Sequence, residues 1–144
     1  MKIGELAQAA QCTVETVRYY EKEGLLPAAS RTGSNYRSYG PEHAERLRFI
    51  RNCRALDMTH GEIRALLVLA DTPGTDCGGI NHLIDDHIGH VDARIQELLH
   101  LKTQLAELRQ RCIGENALDE CGILHGISEM TAEPKPAHRH THLC

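Results

Sequence analysis

Apolar positions recur at two helical rhythms along this chain, broken by turn residues. Ile3 to Ala9 predicts a short helix, the polar Gln11-Cys12 a break, and Thr13 the cap of a second helix, TVETVRYYEKE, closed by Gly24. Two short helices across a tight turn make a helix-turn-helix pattern. Arg31 to Tyr39 (RTGSNYRSY) is turn-rich around Gly33-Ser34-Asn35 and predicts a small hairpin, or wing. Pro41 opens PEHAERLRFIRNCRAL with Leu47, Ile50, Cys53 and Leu56 at helical spacing, and Thr59 opens another helix with Ile63, Leu66, Leu67 and Leu69. Thr72-Pro73-Gly74 marks a boundary.

Beyond it the rhythm lengthens. Ile84, Ile88, Val91, Ile95, Leu98, Leu101 or Lys102, Leu105 and Leu108 form one heptad-like stripe, with Cys77 before it and Cys112 after it, 35 positions apart. At about 1.5 Å per residue a single helix holds these thiols roughly 50 Å apart. Two antiparallel copies bring Cys77 of one beside Cys112 of the other, with a two-fold axis near Arg94 and Ile95. An ideal straight helix drifts by about 20° per heptad, so a shared face requires supercoiling. The expected fold is therefore mainly α. A winged helix-turn-helix (1–72) and a linker (73–79) lead to a long antiparallel coiled-coil dimerisation helix (80–111). A short C-terminal metal-binding loop and helix (112–127) and a His-rich flexible tail (128–144) follow.

Composition narrows the function. Residues 1–54 carry nine Lys/Arg against six Asp/Glu, and residues 55–144 seven against fourteen, so a basic N-terminal part hides inside a net charge of −4. The basic end is the nucleic-acid candidate. No apolar run approaches the roughly 20 residues that span a bilayer, and the N-terminus lacks a signal peptide's apolar stretch, so the chain is expected in the cytoplasm with no membrane partner. There the six Cys are expected as thiols or metal ligands. Nothing matches a catalytic triad, a phosphate loop or a paired-carboxylate site, and no Cys-x-x-Cys suggests a redox enzyme; the chain is read as no enzyme. A metal-sequestering protein is the rival class.

In a helix-turn-helix the second helix reads the major groove. Thr13, Glu15, Thr16, Arg18 and Tyr19 form the expected exposed set on that helix. Asn35, Tyr36, Arg37 and Tyr39 add phosphate-capable groups from the wing. For metal, three thiolates suit cadmium, lead, mercury or zinc over magnesium or calcium. Cys77, Cys112 and Cys121 are the candidates, with His125 a weaker competitor, whereas Cys12 and Cys53 are expected to pack as small hydrophobes. His87 and His90, three apart on one helix face, together with His138, His140 and His142 of the tail, form a candidate second metal site. His82 and His100 are not assigned.

The segments IGELA, ETVRYYEKEGLL, NYRSYG, RLRFIRNCRALDM and EIRALL resemble the MerR family of transcription regulators over residues 1–70. DCGGINHLIDDHI, ARIQELL, LAELRQRC and CGIL extend the resemblance to its cadmium- and lead-responsive branch, over about residues 1–125. The resemblance implies that Cys77, Cys112 and Cys121 sense the metal, cadmium or lead before zinc or mercury. It further implies a homodimer that holds promoter DNA with or without metal. The metal-bound form would bend and untwist an overlong promoter spacer so that RNA polymerase engages, activating resistance genes.

Overall fold

The computed structural model describes residues 1–114 and 117–132. Residues 1–83 form one compact unit and the described residues from Ile84 onward a second.

The first unit begins with α1 (Ile3–Ala9), whose first turn is closed by Glu5 accepting the Lys2 N–H at 2.8 Å. Gln11 adopts a left-handed φ of 55° and turns the chain into α2 (Val14–Lys22). Thr13 caps α2, its hydroxyl accepting the Thr16 N–H at 3.1 Å, and Gly24 at φ 74° lets the chain leave. Strands β1 (Ser30–Arg31) and β2 (Arg37–Ser38) pair antiparallel with Ser30 opposite Ser38 and Arg31 opposite Arg37. The turn between them uses Asn35 at φ 66°. Pro41 starts α3 (Pro41–Ala55), where its missing N–H costs nothing. Thr59 and Glu62 then cap each other reciprocally, each backbone N–H meeting the other side chain at 3.1 Å, and α4 (His60–Ala70) follows.

These helices enclose a core in which Leu6, Val17, Tyr20, Leu25, Leu47, Ile50 and Ile63 are fully buried. Burial of each such side chain stabilises by about 1.5–3 kcal/mol. Arg54, 5% exposed, holds the α3–α4 corner by donating to the Met58 carbonyl. Leu56, which shares the helical spacing of Leu47, Ile50 and Cys53, is 64% exposed: it lies past the last turn of α3, where the chain leaves the helical rhythm towards Asp57 at φ 60°.

Helix α5 runs Gly78–Gln110, starting two residues earlier and ending one earlier than expected. Asp76 explains the early start, its carboxylate accepting the Gly78 N–H at 2.8 Å. Ile80 and Leu83 pack against the core of the first unit. In the second unit the stripe stands uncovered, with Ile84, Ile88, Val91, Ile95, Leu98, Leu101 and Leu105 between 37% and 58% exposed. After a 3-10 turn at Leu118–Glu120 the chain forms α6 (Gly122–Glu129), which packs on the end of α5 through Gly122 and Gly126. Among the described residues no helix is long and apolar enough to cross a membrane.

Candidate nucleic-acid interface and metal centre

On α2, Glu15 and Arg18 are exposed, and Thr13 is exposed at its cap. Tyr19 is half-buried, its hydroxyl 3.2 Å from Nδ1 of His60. Thr16, expected at the surface, is instead buried: its hydroxyl lies 2.9 Å from that of Thr13, inside the cap. On the wing, Asn35, Tyr36 and Arg37 are exposed, Tyr36 to 73%. Tyr39, also expected there, is 2% exposed. Its hydroxyl donates to the Glu21 carboxylate, and burial first, then Glu21, pushes its pKa up. Arg37 reaches the same carboxylate at 3.4 Å, so Glu21 ties the wing to α2. Sequence reasoning missed Glu21 and His60, because a carboxylate and an imidazole on helix surfaces carry no signal until their partners are known.

The thiols fall into two groups. Cys77 is exposed and directly precedes α5, its carbonyl accepting the Asn81 N–H at 2.8 Å. Cys112 and Cys121, both half-buried, are brought near one another where Gly122 seats against the Arg111 carbonyl, and each shifts the other's thiol. Cys121 is the N-cap of α6, and the backbone of Leu124, then that of Ile123, holds its thiol below the usual range. Cys112 is held above that range, chiefly by Cys121 itself. Its Sγ donates to the Gly114 carbonyl at 3.7 Å, and Arg109 holds the Cys112 carbonyl at 2.8 Å. The structure thus brings together two of the three candidate thiols. The third is separated from them in sequence by the 33 residues of α5, a rise of about 50 Å.

Cys53 is buried, which pushes its thiol pKa up, and Cys12 is half-buried against the same core. His125 donates Nε2–H to the Asp119 carbonyl at 2.7 Å, which leaves Nδ1 as its ligand atom. His87 is buried and His90 exposed, with ring centroids 6.3 Å apart edge to face. His82 and His100 are exposed. His138, His140 and His142 lie outside the described residues. Two thiols, one thiolate-favouring, are a soft donor set suited to a large polarisable divalent ion and one ligand short of a trigonal site.

A family model described as "MerR HTH family regulatory protein" matches residues 1–68, and one described as "MerR, DNA binding" matches residues 44–108. A regulator named ZntR homolog from Haemophilus influenzae is 48% identical over 116 residues, covering 81% of this chain and 86% of that one. ZntR from Escherichia coli K12 is 33% identical over 130 residues, covering 89% and 92%. Among solved structures, PbrR691 from Ralstonia metallidurans in complex with lead(II) aligns with a TM-score of 0.79 at 49% identity, covering 88% of this chain and 98% of that one. MerR from Bacillus megaterium in complex with mercury(II) aligns at 0.71 and 27% identity, covering 90% and 100%. Each of these relatives is a transcription regulator rather than an enzyme, in keeping with the non-enzymatic reading of the sequence. The chain belongs to the MerR family of helix-turn-helix transcription regulators.

Proposed function

We propose that this chain is a homodimeric regulator of promoter DNA that responds to a soft divalent metal ion. The first unit, with the 1–72 segment as its DNA-binding domain, presents Thr13, Glu15, Arg18 and the edge of Tyr19 from α2 to the major groove. Asn35, Tyr36 and Arg37 of the wing take the backbone phosphates. The stripe on α5 pairs antiparallel with its copy as a coiled coil, since seven large apolar side chains in register are too many to leave in water. At each end of that pair Cys112 and Cys121 of one subunit meet Cys77 of the partner subunit, completing a three-thiolate site.

The observation that carries this reading is the approach of Gly122 to the Arg111 carbonyl, which sets Cys121 near Cys112 at the end of a helix whose apolar face is left exposed among the described residues. Similarity to a lead-bound regulator at 49% identity supports lead, with its soft companion cadmium, as the ion that activates. A second reading is zinc or mercury: relatives named ZntR support the first, and the mercury-bound MerR structure supports the second. Bound metal shifts the dimer only as far as its affinity differs between two conformations. The expected output is a bent, untwisted promoter that RNA polymerase can engage in the cytoplasm. His87 and His90 are proposed to share a second, weaker site with the tail histidines, so deletion of residues 134–144 should lower the metal bound per chain.

Transcription from the cognate promoter by purified polymerase, with this protein and a panel of divalent ions, tests the reading. Activation is expected from cadmium or lead first. Cys112→Ser should abolish activation and spare operator binding; a Cys112→Ser protein that activates like the wild type would refute the site.

A further inference from the structure

The thiol pair is held by a backbone crossing that tolerates no side chain. A Cβ built on Gly122 would stand 2.4 Å from the Arg111 carbonyl oxygen and 3.1 Å from both the carbonyl carbon and Cβ of Arg111. That carbonyl belongs to the peptide joining Arg111 to Cys112, and Gly122 directly follows Cys121, so this approach of α6 to the end of α5 lies one residue from each thiol. One turn further along α6, a Cβ on Gly126 would meet Arg111 Nη1 at 2.6 Å and Leu108 Cδ2 at 2.9 Å. These are the far ends of flexible side chains, which can move aside. The Arg111 carbonyl cannot, because it is part of the chain that carries Cys112.

We propose that Gly122 is the positioning residue of the metal site: its missing side chain lets α6 seat against the Arg111 carbonyl and brings Cys121 to Cys112 before metal arrives. The inference rests on the metal reading above and adds what assembles the intrachain half of that site. Ordinary carbon–oxygen contact begins about 1 Å beyond the 2.4 Å found here, so any side chain at 122 lifts α6 by that amount. Metal–sulfur bonds accept only about 0.2 Å of departure from their preferred length, so the lift separates the sulfurs beyond what one ion can bridge without distortion. Gly122→Ala therefore acts on the site, whereas Gly126→Ala, on the same helix face and inside the helix where Ala favours the helical backbone, leaves it nearly intact.

The test uses the full-length dimer and cadmium(II). Affinity is measured by chelator competition on the thiolate-to-metal absorption band of wild type, Gly122→Ala and Gly126→Ala, alongside the helicity, dimer mass and metal-free operator affinity of each. A loss of about tenfold or more is expected for Gly122→Ala and no more than about threefold for Gly126→Ala, with the other properties unchanged. Equal affinities in wild type and Gly122→Ala overturn the inference and leave the metal reading standing. A wild type with no thiolate band overturns both. A metal-independent measurement guards against a poorly folded variant. In a Cys77→Ser background, phenylarsine oxide should bridge Cys112 and Cys121 of one chain, the two thiol protons leaving with the arsenical oxygen as water. Capture should be fast with Gly122 and at least about tenfold slower with Ala. Equal rates, or no capture at all in the Cys77→Ser protein, contradict a preassembled pair.

Discussion

The Tyr19 hydroxyl, on the helix proposed to enter the groove, stands 3.2 Å from Nδ1 of His60, the first residue of α4, with the two rings 5.4 Å apart. This contact braces α2 against the helix that follows the α3–α4 corner. Tyr19→Phe keeps the ring and deletes the hydroxyl, so it should cost about 1 kcal/mol of stability. For a unit of this size that lowers the melting temperature by about 4–8 °C. Thermal melts followed by circular dichroism check it; an unchanged melting temperature would show that α2 is braced by packing alone.

Arg37 faces solvent from the wing while its guanidinium pairs with Glu21 at 3.4 Å. If it contacts phosphate, Arg37→Ala should weaken operator and random DNA alike and reduce the slope of log affinity against log salt by about one. Glu21→Gln should leave that slope in place, because it removes no cation. Fluorescence anisotropy between low and moderate salt separates the two.

Cys121 and Cys112 should label at different pH. The backbone of Leu124, then that of Ile123, holds the Cys121 thiol low, and Cys121 holds the Cys112 thiol high, so Cys121 reaches its nucleophilic thiolate form first. Iodoacetamide labelling of metal-free protein, read by peptide mass spectrometry, should modify Cys121 at lower pH than Cys112. Linkage follows the same signs. The stabilisation from the lowered Cys121 is present above its unfolded pKa and lost as pH falls through the folded one. That from the raised Cys112 is present below its unfolded pKa and lost as pH rises through the folded one. Labelling of Cys112 ahead of Cys121 would contradict the assignment.

Ile95, 46% exposed, lies close to the proposed two-fold axis, where each side chain faces the same region of its copy. Ile95→Glu should place two like charges in the seam and convert a dimer into a 16.0-kDa monomer. Sedimentation equilibrium decides, and a variant that stays dimeric would relocate the interface.

Much of this was legible because local chemistry and tertiary structure agree. Thr13, Pro41, Thr59 and the stripe from Ile84 to Leu108 signal helix starts and an apolar face with no knowledge of neighbours. Thr16 and Tyr39 misled for the opposite reason: a polar group reads as exposed until its partner is known, here the Thr13 hydroxyl and the Glu21 carboxylate. The seating of α6 was invisible to hydrophobic periodicity. Its contact face is Gly122 and Gly126, while the apolar Leu124 and Ile127 are 49% and 51% exposed.

The central claim is a site divided between subunits, and mixed dimers test it most directly. Cys77→Ser and Cys112→Ser homodimers should each fail to bind cadmium tightly. Exchanged with each other, they form a heterodimer in which Cys77 of one chain meets Cys112 and Cys121 of the other, restoring one of two sites. With statistical exchange in a symmetric dimer, about a quarter of the wild-type tight sites should return. No recovery after verified subunit exchange would mean that Cys77 and Cys112 act from the same chain or not together, and the shared site would be wrong.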